Sequence, residues 1–94
     1  MKKIFTVLTL CLVSLFALAG KQISGVVLDS QDQPVIGASV MVKGSTSIGT
    51  ITDYDGEFIL EVNDDAKVLV VSFVGMKTQE VAVKEYVRVV LQEA

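Results

Sequence analysis

Thr52-Asp53-Tyr54-Asp55-Gly56-Glu57-Phe58 is the stretch on which the reading of the fold turns. Asp53 suits the first position of a type I turn, and Gly56 the fourth, where a left-handed backbone is cheap without a Cβ. After it, Phe58, Leu60 and Val62 alternate with Glu57 and Glu61, as in a strand with one buried face. Before it, Ile48 to Thr52 is short, β-branched and bounded by glycines. The pattern predicts a β-hairpin with this turn at its tip.

Working outward, every polar break separates another β-type run. Ile23, Gly25 and Val27 share one side of a strand. A loop follows over Asp29 to Pro34, and then Ala38, Val40 and Val42 alternate with Ser39, Met41 and Lys43. Lys67 to Val74 is apolar on both faces, which predicts a strand central in its sheet or covered on both sides. Thr78 to Val83 and Val87 to Leu91 alternate once more. No i, i+3, i+4, i+7 stripe occurs after residue 20. The fold class is all-β, with about seven short strands in a small antiparallel sandwich. Its expected inward positions are Val27, Val40, Val42, Phe58, Leu60, Leu69, Val71, Phe73, Val81, Val89 and Leu91.

The first nineteen residues read differently. A basic head, Lys2-Lys3, precedes an almost wholly apolar run from Ile4 to Ala19. Ala17-Leu18-Ala19 is the small-x-small pattern of a signal-peptidase site, so residues 1–19 are expected to be a signal peptide and 20–94 the domain. The run is shorter than the ~20 residues of a spanning helix, and no membrane span is expected after cleavage. Cys11, the only cysteine, falls inside this run. The remaining 75 residues hold no Cys and no His, with six cationic side chains against eleven acidic ones. That balance excludes a nucleic-acid partner, and nothing in it seeks an anionic membrane surface.

Function classes narrow for the same reasons. Without His or a mature Cys, neither a Ser-His-acid nor a Cys-His arrangement can be built, and zinc loses its usual ligands. Asp53 and Asp55 suggest part of a calcium loop, but an EF-hand needs glycine at position six and a bidentate Glu at position twelve. Counted from Asp53, those positions hold Phe58 and Asp64. A weaker divalent-ion site using Asp53 and Asp55 with Asp64 or Asp65 stays open beside a plain turn in which Asp53 caps backbone N–H groups. Gly44-Ser45-Thr46-Ser47-Ile48-Gly49 lacks the Gly-Lys-Ser/Thr ending of a phosphate loop. Phe73, Tyr54 and Tyr86 are too few for an aromatic glycan platform. No catalytic residue, cofactor or metal is assigned, and the chain is not expected to be an enzyme.

Four ordered motifs carry a resemblance: Ile23-Ser24-Gly25-Val26-Val27, Gln33-Pro34-Val35-Ile36-Gly37-Ala38-Ser39-Val40, Gly49-Thr50-Ile51-Thr52-Asp53-Tyr54-Asp55-Gly56-Glu57-Phe58, and Ser72-Phe73-Val74-Gly75-Met76-Lys77-Thr78-Gln79. Together they resemble the carboxypeptidase-regulatory-like (transthyretin-like) domain over about residues 22–92, although this family often has an aromatic where Met76 stands. The resemblance implies a Greek-key, prealbumin-like sandwich. Its particular form is similar to the N-terminal extension of SusC/RagA-like TonB-dependent outer-membrane receptors of Bacteroidetes, which import glycans or peptides. It implies a non-catalytic periplasmic interaction domain, associated with the outer membrane. Its partners would be a receptor plug and barrel or the periplasmic energy-coupling machinery. The chain stops at Ala94, before any TonB-contacting segment, so the expectation is a truncated or split receptor N-terminus. The alternatives are a free-standing exported binding module for glycan or protein, and the accessory domain of a metallocarboxypeptidase.

Overall fold

Seven strands alternate with turns in the computed structural model, which describes residues 20–94; the expected signal segment lies outside the described residues. They are β1 (Lys21–Leu28), β2 (Ser39–Val42), β3 (Gly49–Ile51), β4 (Glu57–Val62), β5 (Val68–Ser72), β6 (Gln79–Ala82) and β7 (Tyr86–Val90). They form two sheets, ordered β4-β1-β7 and β3-β2-β5-β6. Among the described residues no helix is long and apolar enough to cross a membrane.

Alternation is the physical source of both sheets. In β4, Phe58, Leu60 and Val62 are buried while Glu57, Ile59 and Glu61 face solvent. Along β1, Ile23, Gly25 and Val27 turn inward. From the other sheet, Val40, Val42, Leu69 and Val71 meet them in one core, closed by Val87, Val89 and Leu91. β5 is an interior strand of its sheet, as its two-sided apolar run implies. Its outward Val68 and Val70 are half-buried. Lys43, beside β2, reaches across β5 to Glu80 on β6 (Nζ–Oε1 2.9 Å), which lays its aliphatic stem over this outer face. The pair is exposed, so its Coulomb contribution is small.

Four features depart from the sequence reading. The runs on either side of Asp53–Gly56 are not hairpin partners: β3 pairs with β2, and β4 pairs with β1 in the opposite sheet. The turn therefore carries the chain between layers. One pairing in the otherwise antiparallel sandwich is parallel, β1 with β7, because the first and last strands run in the same direction side by side. Phe73 is not a core residue and is 36% exposed. β5 ends at Ser72, and Phe73 opens a turn whose C=O accepts from Met76 N–H (3.0 Å), with Gly75 at φ 81° in the third position of a type II turn. Val81 is only half-buried, since β6 is an edge strand packed against the rim of the core.

Ile23, Val62 and Val87 complete the alternating pattern inward, and Val35 and Ala38 add loop side chains to the core. Gly25 sits in central strand β1 directly opposite Phe58. A Cβ there would lie 2.7 Å from the Phe58 ring and would also collide with the Val87 carbonyl oxygen. The aromatic ring occupies the space the glycine leaves. Gly25→Ala should therefore lower stability by about 3 kcal/mol or more, since the clash includes backbone. Urea unfolding followed by fluorescence or circular dichroism measures this; a midpoint equal to wild type would contradict the packing described.

Candidate functional site

The turn between β3 and β4 is built by one carboxylate. Asp53 Oδ1 accepts from the N–H groups of Asp55 and Glu57, each at 2.9 Å. Its backbone closes the loop: Gly56 N–H donates to Asp53 C=O (3.0 Å), and Asp53 N–H donates to Glu57 C=O (2.9 Å). Gly56 stands at φ 73°. This is a type I turn closed by a left-handed residue, as in three-residue hairpin loops. The expectation that Asp53 caps backbone N–H groups describes these bonds.

The same device occurs a second time. Asp29 Oδ1 accepts from Gln31 N–H (2.8 Å) and Gln33 N–H (2.9 Å). Asp32 N–H donates to Asp29 C=O (3.1 Å), and Asp29 N–H donates to Gln33 C=O (2.8 Å). Asp32 takes the glycine's place at φ 61°, the only non-glycine residue with positive φ among the described residues. The two turns touch. A Cβ on Gly56 would be 3.0 Å from Pro34 Cβ and 2.6 Å from the Val27 carbonyl oxygen. Gly56 is thus required twice, by its conformation and by this close approach.

Between β3 and the turn lies Thr52, the only buried polar side chain among the described residues. Its hydroxyl accepts from Ala38 N–H (2.9 Å) and donates to Val35 C=O (2.5 Å). Its backbone N–H donates to Ala38 C=O (3.0 Å), and its C=O accepts from Gly37 N–H (3.1 Å). One threonine therefore bonds Val35 C=O, Gly37 N–H and both backbone groups of Ala38, while Val35 N–H is taken by Val27 C=O of β1 (2.9 Å). Sequence reasoning did not single it out. The available signal was a β-branched hydroxyl residue directly before a turn-forming Asp.

Asp53, Asp55 and Glu57 bring a carboxylate oxygen each within 4.8 Å of one another. All three are exposed. The third member is Glu57, not Asp64 or Asp65, which lie beyond the far end of β4. That corrects the alternative ion site drawn from the sequence. Since Asp53 Oδ1 is already committed to two backbone amides, the geometry is that of a turn. The glycine- and serine-rich loop lines a surface depression of about 530 Å³ with Asn63 and residues 65–68. There Ser45 Oγ accepts from Ser47 N–H (3.3 Å) and Ile48 N–H (3.2 Å), so the loop binds its own amides. Tyr54 stands on the turn and Tyr86 on β7, both strongly exposed, while Phe73 belongs to the loop after β5. A smaller groove of about 380 Å³ is lined by Ile51 and, across the outer face of the β4-β1-β7 sheet, by Ile59, Ser24 and Tyr86.

The model of the CarboxypepD_reg-like domain matches residues 23–92. The chain belongs to this family. Its relatives include the TonB-dependent receptor SusC of Bacteroides thetaiotaomicron, 45% identical over 71 residues, which cover 76% of this chain and 7% of the relative. The TonB-dependent receptors P39 and P3 of Formosa agariphila are 36% and 39% identical over 66 and 75 residues, covering 70% and 77% of this chain. The chain thus spans only about 6–7% of the length of these relatives. Among solved structures, a chain of a type II cohesin–X–dockerin complex from Acetivibrio cellulolyticus superposes with a TM-score of 0.64 at 18% identity, over 79% of this chain and 58% of that one. That likeness shows a shared fold.

Thr52 is the sharpest test of how this CarboxypepD_reg-like domain holds its loops. Thr52→Val keeps the shape and strands two backbone groups, so it should cost about 2–4 kcal/mol. Thr52→Ser keeps the hydroxyl and should cost about 1 kcal/mol for the lost methyl. Denaturant melts of both variants measure the difference; equal losses would show that the hydroxyl is not what matters.

Proposed function

We propose that residues 20–94 are an exported, non-catalytic interaction domain of a TonB-dependent receptor for glycan or peptide uptake. Residues 1–19 would direct export and be removed before Gly20. The domain would then work in the periplasm at the outer membrane, against the receptor plug and barrel or the energy-coupling machinery. The observation that carries this reading is the sustained similarity, 36–46% identity over 61–75 residues, to proteins that are all TonB-dependent receptors.

The use to which the chain puts its polar groups supports a non-catalytic role. Asp29 and Asp53 hold turns, and Thr52 is consumed by buried backbone. Lys43 and Glu80 pair with each other, as do Arg88 and Asp32 (3.2 Å). No catalytic residue, cofactor or metal is assigned. Seven short strands are also too few and too short for a transmembrane pore, so uptake itself would belong to the rest of a receptor.

Two measurements test this. Sequencing the DNA beyond codon 94 should reveal plug and barrel sequence in frame or in an adjoining gene; a genomic setting with no receptor would overturn the reading, and specific retention of the purified chain by a polysaccharide would favour a free-standing module. Intact mass of the exported chain should correspond to a start at Gly20. A mass that includes residues 1–19 would contradict the signal assignment.

A further inference from the structure

The four sheet edges of this sandwich are not equivalent. β3 is three residues long, and β6 is four. On the β6–β7 side the chain closes its own seam. Gln79 Nε2 donates to Val90 C=O, Lys77 N–H to Gln92 C=O (2.8 Å), and Ala94 N–H to Gly75 C=O (3.0 Å). β4 is different. It runs six residues at the margin of its sheet, in unbroken register with β1, and contains no Pro, no Lys and no bulge. Those are among the devices that blunt an edge, and of the charged kind β4 carries only Glu57 and Glu61.

The ladder fixes which backbone groups β4 offers. Val27 N–H donates to Gly56 C=O (2.8 Å), so residues 56, 58, 60 and 62 turn their backbone groups toward β1. The N–H and C=O of Glu57, Ile59 and Glu61 then point away from the sheet. Glu57 spends both on the Asp53 turn. Among the described residues nothing pairs with the outward backbone groups of Ile59 and Glu61, which present the edge that can still accept a strand.

Side chains on the same three residues define what that strand must carry. Glu57, Ile59 and Glu61 are exposed on one face, with Ile59 62% exposed beside the groove that also holds Ile51 and Tyr86. A second copy pairing antiparallel about Ile59 would set Glu57 of each against Glu61 of the other. Like charges directly opposite each other are destabilising, which argues against self-association. The complement is a strand with cationic residues at its first and fifth positions and an apolar residue at its third. The acidic balance of residues 20–94 favours approach of such a segment.

We propose that the β4 edge binds an extended, basic segment of another polypeptide by strand addition, with Lys or Arg opposite Glu57 and Glu61 and an apolar side chain against Ile59. This names the partner chemistry of the interaction domain proposed above and rests on that reading. The two fail separately, because the receptor assignment is decided by the gene and by intact mass, whereas strand addition is decided by titration of the purified chain.

The test is an amide NMR titration with the peptide acetyl-Thr-Lys-Thr-Val-Thr-Lys-Thr-amide and its counterpart with Glu in place of Lys. The Lys peptide should shift the Ile59 and Glu61 amides and slow their hydrogen exchange, and added salt should weaken it. Ile59→Pro removes an outward N–H from an edge strand and should abolish binding while keeping a dispersed spectrum. The E57K/E61K double variant, changed only at exposed side chains, should bind the Lys peptide about tenfold more weakly and prefer the Glu peptide. Equal response to both peptides, no response at Ile59 and Glu61, or unchanged binding by E57K/E61K would overturn the proposal.

Discussion

The structure depends on getting the chain from one sheet to the other between Ile51 and Glu57 without abandoning buried backbone. Such a crossing has no ladder of its own, and an unpaired polar group in the core costs about 1–3 kcal/mol. Thr52 and Asp53 resolve this in adjacent positions. Thr52 faces inward and completes the hydrogen bonding of Val35 and Ala38, while Asp53 faces outward and completes that of Asp55 and Glu57. Gly56 then lets the turn seat on Val27 and Pro34. A domain of this size buries a modest fraction of its chain, so a few such bonds are a large share of its stability.

This economy bears on function. The side chains of Asp53, Thr52 and Ser45, in the two stretches that first suggest chemistry, bond the backbone instead. What remains for recognition among the described residues is surface: the β4 edge at Ile59 and Glu61, the exposed apolar side chains of Ile51, Ile59 and Tyr86, and the acidic balance of the domain. Those features are what the proposed interaction domain, with another polypeptide as its partner, rests on. They also fit a chain whose relatives are receptors many times its length.

Much of the fold was legible because alternation reports burial directly. Phe58, Leu60, Leu69, Val71, Val89 and Leu91 were placed by parity alone, and parity is local. Destination is not local. The Asp53–Gly56 turn has the hydrogen bonds of a hairpin loop, and nothing in those residues records that the next strand leaves for the other sheet. The parallel pairing of β1 with β7 was hidden for the same reason, since it joins residues some sixty positions apart. Phe73 was misplaced because the turn at Gly75 ends the strand one residue before the alternation does. Of the candidate site, Asp53 and Gly56 could be read from turn chemistry. The partnership of Glu57 with Asp53 and Asp55, and the role of Thr52, arise from three-dimensional placement.

Native-state amide hydrogen exchange addresses the central claim most directly. If the Thr52 contacts lock the sheet crossing, the Ala38 amide should exchange only through global unfolding, with the same free energy and denaturant dependence as the core amides of β1 and β5. Exchange of Ala38 through a low-energy local opening, insensitive to denaturant, would contradict the claim that this threonine holds the sandwich together.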